Sequence, residues 1–156
     1  MPGSVCGQTA MTMDWMATFL AAAAAKADPA YPLDGIDLTP VLTGAAPVHP
    51  RTLYWRYKAN WQRTVRDGDL KYLKILDNEF LFNVVSDQME RANLKDRRAA
   101  DFARLMDIWA RWNAGMLPET AQRATDGFTG AQLADHIGAK PVSHQPDPGL
   151  TRHADP

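Results

Sequence analysis

Apolar and polar residues alternate along this chain with two distinct periods. Between Thr12 and Lys26, Met13, Met16, Ala17 and Leu20 recur at helical spacing with Trp15 and Phe19 beside them, which predicts a helix over 12–26. Thr12 is the expected N-cap, and Asp14 falls in the first turn, where the helix dipole favours an acid. Ala21–Ala25 extends the helix at low cost, and Asp28-Pro29 and Tyr31-Pro32 stop it, because a residue before proline avoids the α region. Leu33-Asp-Gly-Ile36 reads as a turn, Leu38–Leu42 as a single helical turn closed by Gly44, and Ala45–Pro50 as a loop.

From Leu53 the period falls to two. Leu53, Trp55 and Tyr57 alternate with Tyr54, Arg56 and Lys58, the pattern of a strand with two different faces. Trp61–Arg66 pairs back across Ala59-Asn60, and Asp67-Gly-Asp69 makes a hairpin turn in which Gly68 is free to take positive φ. Leu70–Leu76 is the third strand, and Asp77-Asn78 turns it into Phe80–Val85. Ser86–Leu94 is polar and turn-like. Asp96 then caps a helix to about Ala114, with Phe102, Leu105, Met106, Trp109 and Trp112 as its apolar stripe, Trp109 and Trp112 facing the core. Gly115 and Pro118 end it. The predicted fold class is α+β: a four-stranded antiparallel sheet packed against a C-terminal helix and preceded by another helix.

After Thr120 the texture changes. Phe128–Ile137 is a candidate short helix between Thr129 and Gly138, but Pro141, Pro146, Pro148 and Pro156 among few apolar residues predict a tail without fixed structure. The organisation is therefore 1–9 as a disordered start, 10–44 as helix and turn, 45–118 as the sheet-and-helix subdomain, and 119–156 as a largely disordered tail. No internal repeat is present.

Composition narrows the function classes. The 46% hydrophobic and 22% charged residues are those of a globular chain, and 156 residues suffice for one domain. A net charge of −1 gives no electrostatic basis for nucleic-acid or anionic-membrane binding. The one cysteine, Cys6, excludes an internal disulfide framework and leaves the compartment undetermined. Met16–Ala25 is apolar, but it is too short to span a bilayer, and Met1–Trp15 lacks the positive residues of a signal peptide.

Nucleophile and metal motifs are scarce. Ser4, Ser86 and Ser143 lack a G-x-S-x-G elbow, and no glycine-rich phosphate loop occurs. His49, His136, His144 and His153 show no zinc-ligand spacing. Asp67-Gly-Asp69, like Asp34, Asp37 and Asp77, reads as turn chemistry rather than the six or more oxygen ligands that calcium requires. Asp87 with Glu90 reads as a turn pair.

Five segments, in order, carry a family resemblance: Pro32-Leu-Asp-Gly-Ile-Asp-Leu-Thr-Pro-Val-Leu-Thr-Gly44, Arg51-Thr-Leu-Tyr-Trp-Arg56, Val65-Arg-Asp-Gly-Asp-Leu-Lys-Tyr72, Glu79-Phe-Leu-Phe-Asn83 and Glu90-Arg-Ala-Asn-Leu94. Together they resemble the C-terminal part of a type I, arylsulfatase-like sulfatase of the alkaline phosphatase superfamily. There an LDG-x-(D/S)-L-x-P-x-L-x-G segment precedes a small sheet marked by (A/V)-R-x-G-x-x-K and L-(F/Y)-(D/N)-L. The resemblance implies that the first helix belongs with a large α/β domain and that the sheet is the small C-terminal subdomain. It also implies hydrolysis of sulfate esters by a formylglycine from a C-x-P-S-R or C-x-A-x-R motif, assisted by calcium. This chain contains no such motif, since Cys6-Gly-Gln-Thr-Ala10 lacks the Pro or Ala and the Arg. The family's calcium ligands lie upstream of the matched region, so no cofactor and no catalytic residue is expected within this chain.

The expectation is thus a C-terminal fragment of a sulfuric ester hydrolase, inactive alone. Trp55, Arg56, Tyr57 and Lys58 are its substrate-rim candidates, with rings for an aromatic or sugar group and cations for a sulfate. Expected partners are a complementary N-terminal sulfatase chain or a second copy, joined through the helix at 12–26. The alternative is a non-catalytic module that binds a sulfated or aromatic ligand or a partner chain.

Overall fold

One buried carboxylate organises the N-terminal part of the chain. The computed structural model describes residues 3–57, 61–75 and 77–118, which fall into two units divided between Arg51 and Thr52. In the first unit, α1 (Asp14–Ala22) is followed by α2 (Thr39–Leu42). Asp14 is wholly buried and accepts the backbone N–H groups of Met11 at 2.6 Å and Ile36 at 3.0 Å. The Arg51 guanidinium grips both its oxygens, at 2.6 and 3.0 Å. Thr18, one turn on, accepts the N–H of Leu38 at 3.0 Å and donates to the Asp14 carbonyl at 2.8 Å.

α1 is shorter than its pattern predicts. It begins at Asp14 with Met13 in the N-cap position and no side-chain cap, so Thr12 does not serve. Asp14 instead accepts the N–H of Met11, which precedes the helix. At the other end, Ala24 takes φ +51° and the Ala25 N–H bonds the Leu20 carbonyl at 2.9 Å. This six-to-one closure uses up the carbonyl of the last turn. Alanine propensity favours a longer helix by only tenths of a kcal/mol per residue, so a local closure of this kind overrides it.

The second unit is an up-and-down antiparallel sheet: β1 (Thr52–Tyr57), β2 (Gln62–Asp67), β3 (Leu70–Ile75) and β4 (Asn78–Asn83), in the order β1-β2-β3-β4, with α3 (Ala99–Ala114) after it. Thus the α+β sheet-and-helix architecture read from the sequence is the observed one. Register puts Tyr54, Val65, Tyr72 and Leu81 side by side on one face. There Val65, Leu70, Tyr72 and Leu81 form a core with Leu105 and Trp109 of α3. Tyr54 stacks on Trp112 with ring centroids 5.0 Å apart, and Phe102 meets Tyr72 edge-on at 5.6 Å.

Two details differ from the pattern. α3 starts at Ala99, not near Asp96, and has no side-chain cap at Arg98. Met106 is exposed, because it lies about 100° round the helix from Leu105; Ile108 packs on the core instead. Trp112 faces the core as expected: it is half-buried, packs against that cluster and stacks on Tyr54. On the other face of the sheet Leu73, Ile75, Phe80 and Phe82 form a second buried cluster. The expected helix at 128–137 lies outside the described residues.

Candidate functional site

A strand's two faces are fixed by alternation, so the face turned away from α3 is settled once Tyr54 and Val65 face the helix. On it β1 presents Trp55 and Tyr57, β2 presents Gln62, Thr64 and Arg66, and β3 presents Lys71. These six residues, with Val84 and Glu90 beyond β4, line an open groove of about 540 Å³. Trp55 sits opposite Thr64, Tyr57 opposite Gln62, and Arg66 opposite Lys71.

The groove combines exposed ring surface with a small positive charge. Trp55 and Tyr57 are 38% and 54% exposed, which leaves two ring faces available side by side. The Lys71 ammonium pairs with the Glu90 carboxylate at 2.6 Å. Arg66 donates its Nε–H to the Gly68 carbonyl at 3.0 Å. Glu90 holds φ +54° in the loop after β4, an uncommon conformation for a non-glycine residue.

The four substrate-rim candidates part company in the structure. Trp55 and Tyr57 lie together in the groove. Arg56 faces α3, where its guanidinium bonds Asn113 Oδ1 at 3.0 Å and the Leu117 carbonyl. Lys58 lies outside the described residues. Gln62 and Thr64 were not singled out from the sequence, and Arg66 and Lys71 stood there only as part of a family-like segment, not as site residues. Pairing the predicted strands across the Asp67-Gly-Asp69 turn brings Arg66 next to Lys71, which is the signal that marks them.

Asp67 and Asp37 are engaged by neighbouring groups. Asp67 accepts Thr52 Oγ1 at 2.8 Å and Arg104 Nη1 at 2.6 Å. The Arg104 bond, outweighing burial and helped by Thr52, holds the Asp67 carboxyl below the usual range. Asp37 accepts the Thr39 N–H at 2.8 Å. Among the described residues no three His, Cys, Asp or Glu side chains gather where they could hold a metal ion. Nor is any described helix long and apolar enough to cross a membrane.

No family model and no curated protein matches this chain. Solved structures do. The crystal structure of the sulfatase Ps i-CgsB is 20% identical with a TM-score of 0.62, covering 82% of this chain and 28% of that one. Ps i-CgsB in complex with k-i-k-neocarrahexaose is 24% identical with a TM-score of 0.56, covering 73% of this chain and 26% of that one. At these identities the likeness is one of fold. The chain spans little more than a quarter of the length of those structures.

Proposed function

We propose that this chain is the C-terminal portion of a sulfatase-family sulfuric ester hydrolase and is catalytically silent by itself. The observation that carries the reading is the lopsided match: most of this chain superposes on about a quarter of a sulfatase. The five motif segments at family spacing support it independently. Sulfate ester hydrolysis requires an activated nucleophile and preorganised positive charge at the sulfuryl group. In this reading both come from a complementary N-terminal sulfatase chain, which also brings the calcium ligands. Trp55 and Tyr57 are the rim residues that the sheet can offer to the organic part of a substrate.

The test is hydrolysis of 4-nitrophenyl sulfate with calcium, under conditions that detect trace turnover. The purified chain is expected to show none, and turnover to appear only with a complementary N-terminal chain. Reproducible turnover by this chain alone overturns the reading, and Cys6 is then the first residue to replace. The second reading, a non-catalytic binding module, draws on the exposed ring pair of the groove.

A further inference from the structure

We infer that the outer edge of β1 is a pairing surface for a second copy of this chain, the two β1 strands running antiparallel with Tyr54 opposite Tyr54 of the second copy. This goes beyond the catalytic reading and does not depend on it, since strand pairing needs no nucleophile.

The two edges of the sheet are finished differently. β1 and β4 are its outer strands. On β4, Leu81 donates its N–H to Asn93 Oδ1 at 3.0 Å, and its carbonyl accepts the Leu94 N–H at 2.7 Å. The Glu79 carbonyl accepts Asn93 Nδ2 at 3.2 Å, and the Asn83 carbonyl accepts the Asp87 N–H at 2.8 Å. The loop after β4 thus covers that edge with its own chain. Since the Leu81 backbone groups point outward, Tyr72 bonds Val65 rather than Leu81, and Tyr54, opposite Val65, turns its N–H and carbonyl away from β2. Thr52 and Arg56 share that orientation by alternation. Among the described residues nothing bonds these outward backbone groups. β1 also lacks the devices that blunt an edge, with no proline, lysine or bulge over Thr52–Tyr57. Its one charge, on Arg56, is drawn toward α3 by Asn113 Oδ1 and the Leu117 carbonyl.

The strand is complementary to itself. In an antiparallel pair centred on Tyr54, Thr52 lies opposite Arg56 of the second copy and Leu53 opposite its Trp55, so every outward N–H and carbonyl of both strands is matched. Shifted registers leave outward groups unmatched, and the one centred on Arg56 sets two cations face to face, which is unfavourable. The centred register also places charges well. Arg56 comes to the side of the second copy where Thr52 holds Asp67 at 2.8 Å, a cation approaching a carboxylate. Threonine, tyrosine and tryptophan suit a pleated surface, and each Leu53–Trp55 contact adds an aliphatic–aromatic cross-strand pair. A foreign peptide meets none of these pairings by necessity, whereas a second copy meets all of them. Because paired strands share their faces, Trp55 and Tyr57 of the two copies then lie on one side of a continuous sheet, and the two grooves run together.

The experiment is amide hydrogen exchange of the full chain, followed residue by residue over a concentration series, with sedimentation velocity on the same samples. Dimer is expected to appear with concentration, and the Thr52, Tyr54 and Arg56 amides to slow with it. When half the chains are paired the slowing is about twofold, because these amides then exchange only from the unpaired half. The Leu53 and Trp55 amides, already bonded to β2, are expected to change far less. Phe19→Asp, which removes apolar surface from α1, is expected to leave this alternating response in place. Tyr54→Pro deletes the central outward N–H but no bond to β2, a change that an edge strand tolerates, and is expected to abolish the response. Should Tyr54→Pro fail to fold, Thr52→Pro at the first position of the strand takes its place. A monomer at every concentration, a dimer in which these three amides do not slow, a response that Phe19→Asp abolishes, or a dimer that the proline variant leaves intact overturns the inference. Sulfatase activity, present or absent, has no bearing on these outcomes.

Discussion

Trp109 on α3 donates its indole N–H to the carbonyl oxygen of Trp55 on β1 at 3.2 Å. The helix therefore holds the very strand whose opposite face carries the exposed ring pair. Above the same indole lies the Arg63 guanidinium, 4.8 Å from the ring centroid, a cation–π contact. Core and groove are thus two sides of one sheet, and a change on the helix side reaches the groove through β1.

Replacing Trp109 by Ala removes a large, nearly buried aromatic and is expected to cost about 3–5 kcal/mol. Trp109→Phe keeps most of the apolar contact but loses the bond to Trp55, a loss of about 1 kcal/mol from the hydrogen bond itself. Urea denaturation of the two variants separates these effects. Near-identical midpoints for wild type and Trp109→Ala sink the assignment of Trp109 to the core.

Acid should loosen the N-terminal unit through Asp14. Burial pushes its carboxyl up, but the Arg51 bonds, the Met11 and Ile36 N–H groups and the Arg51 charge together bring it from 3.8 down to about 2. The folded value lies below the unfolded one, so the stabilisation is present above about pH 4 and is lost as pH falls toward 2 and below. A depression of this size corresponds to about 2 kcal/mol. Hydrogen exchange at the Ile36 and Leu38 amides should quicken over that window, and Asp14→Asn should be less protected than wild type at pH 7 but not at pH 2. A difference that stays constant with pH would falsify the assignment.

Gly35 should tolerate no side chain. A Cβ there would lie 2.2 Å from the Met13 carbonyl oxygen and 2.6 Å from its carbon, both backbone atoms that cannot rotate away. Gly68 differs: its φ is +58° but the space around it is open, so Gly68→Ala costs about 1–2 kcal/mol from the left-handed conformation alone. Thermal melts and exchange should show Gly35→Ala disrupting the first unit and Gly68→Ala modestly destabilising the second. Equal, mild effects at both sites would remove the close-approach argument.

These residues also mark what could be read from the chain unaided. β1 and α3 were legible because each has two unlike faces, which alternation or helical spacing writes directly into residue order; β3 and β4, buried on both faces, were legible as apolar runs bounded by the Asp67-Gly-Asp69 and Asp77-Asn78 turns. Gly68 was legible for the same local reason. Gly35 read as a turn glycine, yet its structural role is close approach to α1, which no local pattern encodes. The Asp14 clasp joins residues 22 and 37 positions apart, and only the folded chain brings them together. In the groove, Trp55 and Tyr57 stood out by residue type, whereas Arg66 and Lys71 gain their meaning from cross-strand register. Glu90 depends on a loop with a left-handed residue, which sequence spacing does not announce.

The exposed side of α1 is the remaining expectation with a direct readout. Trp15, Met16 and Phe19 are 47%, 56% and 62% exposed, and the Trp15 and Phe19 rings stack 5.8 Å apart. Clustered apolar surface of this kind promotes association, and a second copy is the partner always available to a purified chain. Sedimentation velocity over a concentration series should show self-association that Met16→Asp or Phe19→Asp reduces. Phe19 is a cleaner site than Leu20, which is half-buried, so a charge there also perturbs the unit. Adding a complementary N-terminal sulfatase chain should compete with self-association if that chain covers the same face. Association that both aspartate variants leave unchanged assigns the sticky surface elsewhere and withdraws α1 as the contact.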